Sequence, residues 1–294
     1  MRCTQPRQVT IIGVGLLGGS AGLALKARCP RARVCGVGRR KASLDKALEV
    51  GAIDAAYLEA AEPAADSDLV ILATPVGAFA VYLRAVAPVL KDSAIVTDVG
   101  STKGAVVRIA GEILGPRGPF VGSHPMAGSE QKGPAFARAD LFDGATCIVT
   151  PTPRTPPAAV RRVEAFWRML GMRTVRMKPA DHDRVLAKVS HLPHVLASLL
   201  VMLPDRKALD AAATGFRDMT RLAAGDPEVW RDVLLTNRRE ILRAIDRFDE
   251  SLVGLRDLLE LPDVVGLERF LAAARHRRRG TIGRRLTDPS DSTG

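Results

Sequence analysis

Apolar and polar positions follow two different periodicities along the first part of the chain. Short, β-branched apolar runs are separated by stretches with apolar residues at helical spacing, which predicts repeated strand–helix–strand units and a parallel sheet. Several of the runs lack polar alternation, as expected for strands that helices cover on both faces. The predicted strands read QVTIIGVG, ARVCGVG, LVILATP, AIVTDVG, PFVGSHP, TCIVTPT and MRTVRM.

Helices are predicted between these strands, at SAGLALKAR, SLDKALEVG, STKGAVVRIAGEIL and VRRVEAFWRMLG. Ser43 and Ser101 begin the second and third of these stretches. We expect both serines to be N-caps, because a serine hydroxyl can accept a hydrogen bond from a free backbone N–H group.

The pattern becomes helical throughout after residue 178, where apolar residues recur at a spacing of 3.6. The segment PTPRTPP (Pro151 to Pro157) resembles a domain boundary, but the helix and strand patterns after it argue against a division there. The sequence therefore predicts an α/β fold: a doubly wound, Rossmann-type parallel sheet domain over residues 1–178, followed by an all-α domain over 179–276.

The formal net charge of +11 raises the question of nucleic-acid binding. Six arginines lie between Arg275 and Arg285, just ahead of a polar end, and without them the formal charge is about +5. We expect a basic, disordered tail over 277–294. Nucleic-acid binding by the tail remains an alternative, although the remaining charge suits a protein that attracts small anionic ligands.

The cysteines and the N-terminus indicate a cytoplasmic, soluble protein. The cysteines form no Cys-x-x-Cys pair and have no ligand-like spacing to histidine, which argues against a disulfide framework or a structural zinc site. The first apolar run is too short to cross a membrane, and no cleavage site follows it. The cysteines are Cys3, Cys29, Cys35 and Cys147.

The strongest single motif follows the first strand, where IIGVGLLGGS contains a G-x-G-x-x-G pattern. Gly13 permits a tight turn, Gly15 lets the backbone approach a pyrophosphate, and Gly18 lets the helix pack closely on the sheet. Leu16 and Leu17 open that helix, whose free N–H groups favour a phosphate. The context predicts a dinucleotide-binding site formed by all five residues.

The end of the second strand bears on the choice of cofactor. NAD sites place an acidic residue there for the ribose 2′-hydroxyl, whereas this chain has Gly38 followed by Arg39 and Arg40. Guanidinium groups can bind a 2′-phosphate, so the sequence favours NADP over NAD. The alternative is that both arginines are solvated loop charges.

Polar residues follow three other strands, at the edge where ligands of open α/β sheets bind. A histidine beside a nicotinamide is suited to general-base chemistry, which makes His124 a candidate catalytic residue against the alternative of a structural histidine. These residues are Thr74 and Pro75, which can run beside the cofactor, then Asp98, Ser101 and Lys103, then His124.

The helical half contributes His191 and His194, which share one helix face. Neither a carboxylate nor a third histidine stands at ligand spacing to this pair, and His182 lies nine residues earlier, so we predict no metal site.

A glycine-broken stretch farther on clusters Arg217, Arg221 and Trp230. Arginines between helices suit carboxylate recognition, and surface salt bridging is the alternative.

Six motifs together resemble the prephenate/arogenate dehydrogenase family, in order from about Val9 to Arg275. The resemblance implies an oxidoreductase of tyrosine biosynthesis that oxidatively decarboxylates prephenate or arogenate with hydride transfer to NADP or NAD. The motifs are IIGVGLLGGSAGLAL, LATPV, DVGSTKG, GSHPMAGSE, DHDRVLAKVSHLPH and GFRDMTRLAAGDPEVWRD.

The same resemblance implies roles for individual residues. His124 draws the proton from the substrate's ring hydroxyl, Ser101 orients that hydroxyl and the nicotinamide, and Arg221 pairs with the ring carboxylate. His194 lies near the substrate side chain, which favours prephenate over arogenate. His182, His191 and Trp230 stand at motif positions without separate chemical steps. A homodimer formed through the helical domain is also implied.

Two other functions remain as alternatives at this point. One is another two-domain dehydrogenase with a helical C-terminal half, which would lack the SHPMAG and HLPH motifs. The other is a redox-sensing binding protein that kept the fold and lost the chemistry.

Overall fold

The computed structural model describes residues 5–115, 118–129 and 131–281. Within these residues, eight strands form a single sheet. The strands are β1 (Gln8–Ile12), β2 (Arg33–Val37), β3 (Ala55–Tyr57), β4 (Leu69–Leu72), β5 (Ile95–Asp98), β6 (Phe120–Pro125), β7 (Thr146–Thr150) and β8 (Arg173–Arg176).

The helices pack on both faces of the sheet and then continue as a separate run. The first six are α1 (Leu16–Arg28), α2 (Lys41–Glu49), α3 (Ala61–Ala65), α4 (Phe79–Val86), α5 (Gly104–Leu114) and α6 (Pro157–Met169). The others are α7 (Pro179–Leu186), α8 (Leu192–Met202), α9 (Arg206–Asp210), α10 (Thr214–Thr220), α11 (Pro227–Thr236), α12 (Arg238–Glu260) and α13 (Val264–Thr281).

The sheet has the order β3-β2-β1-β4-β5-β6-β7-β8, which confirms the predicted doubly wound fold. The chain winds outward from β1 to β3 and then crosses back to β4, on the other side of β1. This reversal between β1 and β4 is where open α/β sheets bind ligands, beyond the carboxyl ends of the strands.

Two hydrophobic clusters hold the helices against the sheet. One contains Leu25 and Trp167 with the sheet residue Ile11, and the other contains Phe79 and Leu83 with sheet residues such as Ile12 and Leu72. Alternate residues of β1 thus enter opposite clusters, which is why its run of apolar residues has no polar alternation.

The expectation of a wholly parallel sheet is wrong at one edge. Strand β7 pairs antiparallel with β6, and β8 pairs parallel with β7, so the last two strands run opposite to the first six. The described residues between Pro125 and Thr146 contain a short 3-10 turn at Pro134–Phe136 and no crossover helix. A connection that stays at one edge of the sheet returns the chain antiparallel.

The predicted N-caps are also wrong. Helix α2 begins at Lys41 with Arg40 as its N-cap, and α5 begins at Gly104 with Lys103 as its N-cap. The free N–H groups of Lys103 and Gly104 instead donate to the Asp183 carboxylate at 2.8 and 2.7 Å. The Asp183 carboxylate, from α7, therefore accepts the hydrogen bonds that were expected to go to the Ser101 hydroxyl.

One helical stretch, Pro179–Met202, is the one candidate among the described residues that could cross a membrane by length and composition, with a mean hydropathy of 1.5. It carries His182, Asp183 and His191, all buried and hydrogen-bonded to neighbouring groups. Its middle, Ala187–His191, is a π-helical turn. These contacts join the stretch to β6 and to the start of α12, while 28% of its apolar window is buried.

The expected disordered tail is wrong over its first five residues, because α13 continues to Thr281. Arginines at helical spacing are good helix formers, so the basic composition does not end the helix. Residues 282–294 lie outside the described residues, as does Cys3. Cys29, Cys35 and Cys147 are buried free thiols.

Candidate active site

The glycine motif forms the turn that leads from β1 into α1. Gly13 adopts a φ of +101°, and a Cβ atom there would lie 2.6 Å from the carbonyl carbon of Ala73. Gly15 is the N-cap of α1, and no atom lies within 4 Å of the position a Cβ would take. The open space beside the Gly15 backbone, next to the free N–H groups of Leu16 and Leu17, fits a dinucleotide pyrophosphate.

The third glycine holds the turn together. A Cβ on Gly18 would lie 2.0 Å from the Gly13 carbonyl oxygen, so helix and turn could not approach this closely with any other residue. Thr74 and Pro75 follow β4, and the Thr74 backbone nitrogen also borders Gly13. The structure therefore brings the predicted cofactor residues of β1 and β4 together.

Arg39 and Arg40 are exposed just beyond the end of β2, and neither forms an ion pair within the described residues. Lys41, in contrast, is paired with Asp45 along α2. The Gly38 position carries no carboxylate, so nothing there opposes a 2′-phosphate electrostatically.

A cleft of about 670 Å³ opens between the glycine turn and the helical half. Its volume is in the range of small-molecule sites. It is lined by Gly15, Leu16 and Leu17 of the glycine turn, by Ser101 after β5, and by His194, Arg221 and Trp230 of the helical half, whereas His124 and His191 are not among the lining residues. Arg217 is exposed and is not among the lining residues.

Three side chains form a hydrogen-bonded relay at the carboxyl end of β6. His124 Nδ1 lies 2.9 Å from His182 Nε2, and His182 Nδ1 lies 2.8 Å from a carboxylate oxygen of Asp183. All three are buried, with His182 completely enclosed. His124 belongs to the strand, whereas His182 and Asp183 come from α7.

The chemistry of the relay fixes the proton positions. The ionised Asp183 can only accept a hydrogen bond, so His182 Nδ1 donates to it. The Nε2 of a neutral His182 then carries a lone pair and accepts from His124 Nδ1. His124 is left with its lone pair on Nε2, which is the form that a general base needs.

The electrostatics of the relay agree with these assignments. Burial, together with the neighbouring imidazole of His182 and the positive charge of Lys103, holds the pKa of His124 well below its usual value. Burial also lowers the pKa of His182, although Asp183 opposes that shift. Burial works against ionisation of Asp183, but hydrogen bonds from His182 and from two backbone N–H groups lower its pKa. The relay therefore has one negative charge and two neutral rings at pH 7.

Lys103 and Asp98 lie beneath this relay as a fully buried ion pair. Asp98 also accepts hydrogen bonds from the backbone N–H groups of Gly100 and Ser123. Ser123 directly precedes His124, so the pair anchors the strand end that carries the candidate base. The structure thus places Asp98 and Lys103 next to the candidate base, and neither lines the cleft.

Two further histidines stand on the helical side. Asn237 donates to His191 Nδ1 at 3.0 Å, and burial lowers the pKa of His191 to about 4. His194 stacks on Trp230 with ring centroids 3.4 Å apart and an interplanar angle of 7°. A Cβ on Gly225 would lie 2.3 Å from Trp230 Nε1, so this stack requires glycine there.

Both of these histidines carry a buried ring nitrogen that has no hydrogen-bond partner within the described residues, namely His191 Nε2 and His194 Nδ1. Buried polar atoms are rarely left unsatisfied, and a polar ligand in the cleft could satisfy His194, which is a lining residue. Burial lowers the pKa of His194 as well.

The cleft wall carries cations that could attract an anionic ligand. Arg221 is exposed and forms no ion pair among the residues described. Lys132 also lines the cleft and pairs with Asp226 at 3.0 Å. An unpaired arginine on a concave wall is suited to binding a carboxylate.

Sequence reasoning missed several residues that shape this site. Asp183 was not singled out, because its partners on α5 lie about 80 positions away. Asn237 and Lys132 were missed for the same reason. Asp226 had a readable signal, since an aspartate before a proline is a common helix start, and its side chain does accept from Glu228 and Val229.

The described residues contain no group of three or more His, Cys, Asp or Glu side chains that could hold a metal ion. His191 and His194 are instead engaged with Asn237 and Trp230.

Comparison with known families supports this architecture over almost the whole chain. Residues 21–176 match the nucleotide-binding domain of prephenate dehydrogenase, and residues 178–273 match the prephenate dehydrogenase dimerization domain. A prephenate dehydrogenase of Bacillus subtilis (strain 168) is 36% identical over 281 residues, which cover 92% of this chain and 75% of the relative.

Solved structures agree with the sequence comparison. A prephenate dehydrogenase of A. aeolicus, in complex with hydroxyphenyl propionate and NAD+, superposes with a TM-score of 0.87 at 33% identity, covering 93% of this chain and 98% of that one. An arogenate dehydrogenase of Synechocystis superposes with a TM-score of 0.80 at 29% identity, covering 94% and 100%.

Proposed function

The chain belongs to the prephenate dehydrogenase family and is a nicotinamide-dependent dehydrogenase, and we propose that it converts prephenate to 4-hydroxyphenylpyruvate. The observation that carries the proposal is the Asp183–His182–His124 relay, which leaves an unprotonated nitrogen on His124 at the carboxyl end of the sheet. The family also includes an arogenate dehydrogenase, so direct formation of tyrosine from arogenate is the second candidate.

His124 acts as the general base in this proposal. Its Nε2 takes the proton of the hydroxyl on ring carbon C4, and the freed electron pair forms the carbonyl. The imidazolium that results is stabilised through His182 by the negative charge of Asp183. Ser101, which lines the cleft, orients the hydroxyl by a hydrogen bond.

The residues of the helical side hold the substrate's anionic groups. Arg221 binds the ring carboxylate until it leaves as carbon dioxide. The electron pair of the broken bond passes through the ring to the C4 oxygen, which makes the ring aromatic, and the resulting phenolate takes the proton back from His124. His194, held flat by Trp230, hydrogen-bonds the substrate side chain, and His191 borders it. As a hydrogen-bond donor, the His194 imidazole suits a keto group better than an ammonium group, which favours prephenate over arogenate.

The cofactor is held by the glycine turn, with Gly13, Gly15 and Gly18 providing the space and the start of α1 providing N–H groups. Leu16, Leu17, Thr74 and Pro75 border the same site. When bound, the nicotinamide supplies the acceptor for the hydride that leaves C4. The unpaired Arg39 and Arg40, together with the absence of an acid at Gly38, favour NADP over NAD.

Steady-state kinetics with both substrates and both cofactors test these assignments. We expect the highest kcat/KM with prephenate and NADP, read from absorbance at the nicotinamide band. Turnover of arogenate alone would replace the substrate assignment. Equal kcat/KM for NAD and NADP in the wild type, unchanged in an Arg39→Ala/Arg40→Ala variant, would count against the NADP preference.

The proposed assembly is a homodimer formed through the helical half, and the proposed location is the cytoplasm. Support for the dimer comes from the dimerization-domain match over residues 178–273 and from exposed apolar side chains on the same helices. A role for the basic tail in nucleic-acid binding stays an untested alternative.

A further inference from the structure

Two residues of helix α11, Trp230 and Asp232, contact different parts of the protein around the cleft. Trp230 lies in the cleft wall, where its ring stacks on His194. Asp232, on the same helix, is buried and directs its carboxylate away from the helical half, onto the loop that follows β4. The backbone N–H of Gly77 donates to Asp232 Oδ2 at 2.8 Å.

The loop that Asp232 holds is the loop that borders the cofactor turn. It runs from Thr74 to Gly77 and begins next to Gly13, whose Cβ position would lie only 2.6–2.8 Å from backbone atoms of Ala73 and Thr74. Any shift of this loop therefore changes the space available at the first glycine. The backbone of Thr74, Pro75 and Val76 thus connects the Gly77 N–H, which Asp232 binds, to the candidate nucleotide site.

The contact is tight and strongly polarised. A Cβ atom on Gly77 would lie 2.7 Å from Asp232 Oδ2, so glycine is needed for the carboxylate to reach the N–H group. The other carboxylate oxygen accepts two hydrogen bonds from Arg231, at 3.0 and 2.7 Å, which fixes the rotation of the group. A charged acceptor on a backbone donor is stronger than a neutral one.

We propose that Asp232 is a positioning residue, which holds the Thr74–Gly77 loop in the conformation that accepts the nicotinamide cofactor. It touches neither substrate nor cofactor and acts through the loop backbone. Asp232 projects from the helix that also carries Trp230. It therefore fixes the position of the Thr74–Gly77 loop relative to the part of the cleft that Trp230 lines.

Replacing the acceptor tests this role directly. In Asp232→Leu the branched shape of the side chain is kept and the acceptor is lost, so the Gly77 N–H loses its charged partner. We expect the dissociation constants of NADH and NADPH, measured by isothermal titration calorimetry without substrate, to rise about tenfold. Asp232→Asn keeps an oxygen acceptor and should restore binding to within about threefold of the wild type.

The matched control is Glu228→Gln, an exposed change on the same helix, which should leave cofactor binding and turnover unchanged. A folded Asp232→Leu protein with wild-type dissociation constants would overturn the proposal, and so would an Asp232→Asn variant as defective as Asp232→Leu. The titration involves no substrate, so its outcome is independent of whether prephenate or arogenate is turned over.

If Asp232→Leu does not fold, Gly77→Ala decides the matter, because the new methyl group displaces the carboxylate from the other side. The expected result is again weaker cofactor binding, with no further loss when Asp232→Ala is added, since both changes break the same contact. Unchanged binding in Gly77→Ala would refute the role.

Discussion

The active form of His124 depends on its neighbours rather than on its own position in the chain. An isolated imidazole can carry its proton on either nitrogen, but a buried carboxylate at the far end of the relay removes that freedom. Asp183 accepts from His182, and His182 accepts from His124. Each hydrogen bond has one possible direction, so the lone pair is left on His124 Nε2.

Replacing His124 by asparagine removes the base while keeping a polar side chain of moderate size. We expect kcat to fall by about 10²–10⁴-fold, which is the usual contribution of one positioned base. Cofactor binding should be unaffected, because the glycine turn lies on another strand. Steady-state rates and a calorimetric titration with NADPH measure the two effects. Near-normal turnover would refute the assignment of His124 as the base.

The buried neutral histidines also make stability depend on pH. His191 has a pKa of about 4 in the folded protein and near 6.5 when unfolded, so both states are neutral above pH 6.5. Below that value the unfolded chain binds the proton first, and the free energy of unfolding falls as the pH drops from 6.5 towards 4. His191 alone contributes about 3 kcal/mol over this window.

Urea denaturation between pH 7.5 and 4 measures this slope. His191→Asn should be less stable at pH 7.5 and should lose stability less steeply with acid. An identical pH dependence in the variant and the wild type would contradict the assigned pKa shift.

The sequence predicts residue types suited to the candidate site, and local motifs indicate Ser101, His124, His194 and Arg221 as its proposed members. It does not predict their partners. The hydrogen bonds of Asp183 to α5 cross about 80 residues, and that of Asp232 to Gly77 crosses 155. No local spacing encodes such contacts, because they arise only when α7 and α11 pack against the sheet.

Among the elements, α7 contributes to the structure in two ways, and both depend on Asp183. Its carboxylate caps α5 through the N–H groups of Lys103 and Gly104, and it orients His182. Serine N-caps were a reasonable prediction from sequence, but a charged acceptor delivered from another helix satisfies the same N–H groups more strongly.

Replacing Asp183 by asparagine should therefore damage both functions. The new amide has one acceptor oxygen, and its NH₂ group must face either a backbone donor of α5 or the donor nitrogen of His182. We expect kcat to fall by at least about 10²-fold, with a smaller effect on the KM for the cofactor. A variant with normal kcat would show that the relay does not set the His124 tautomer. Asp181→Asn, a change at a half-buried position on the same helix, is the control.

The π-helical turn at Ala187–His191 is another feature of the helical half that local patterns did not reveal. Pro193 follows it and cannot donate a backbone hydrogen bond, and its ring would crowd the carbonyl four residues earlier in a regular helix. A local widening of the helix relieves this conflict.

The packing of α1 on β1 allows a sharp test at the scale of one element. In Gly18→Ala the new Cβ would lie 2.0 Å from the Gly13 carbonyl oxygen, so the helix must move away from the turn. We expect a loss of about 1–3 kcal/mol in the free energy of unfolding and a raised KM for the cofactor.

The control for this change is Gly111→Ala on α5, where nothing lies within 4 Å of the Cβ position. That variant should gain about 0.4–1 kcal/mol, because alanine favours the helix and restricts the unfolded chain. Thermal and urea unfolding measure both. A Gly18→Ala protein as stable as the wild type would mean that the turn tolerates a wider separation.

At the scale of the whole molecule, the class of fold is readable from the strand and helix patterns, whereas the direction of the last two strands is not. The periodicity of apolar residues indicates which residues are buried, but it does not indicate whether a strand runs parallel or antiparallel to its neighbour. The direction of β7 follows from a long connection without a crossover helix. The path of such a connection cannot be predicted from the sequence of its turns and loops.

The sheet domain and the helical half differ in the number of large apolar side chains that they expose. Of the 24 large apolar side chains that are exposed among the described residues, 19 follow residue 178. They include Met202 and Leu203 at the end of α8, and Leu261 and Val264 between α12 and α13. Apolar surface concentrated in this way indicates an interface, and the dimerization-domain match covers the same helices.

Charged substitutions on these helices should therefore separate the proposed dimer. In Met202→Asp/Leu203→Asp and in Leu261→Asp/Val264→Asp, each pair would place unpaired carboxylates in an apolar interface, which raises the dimer dissociation constant by at least about 100-fold. Light scattering coupled to size-exclusion chromatography should detect monomers of 31.4 kDa. Val81→Asp, at a side chain 65% exposed on α4, should leave the mass unchanged. If both pairs remained dimeric at micromolar concentration, the interface would have to lie on another surface.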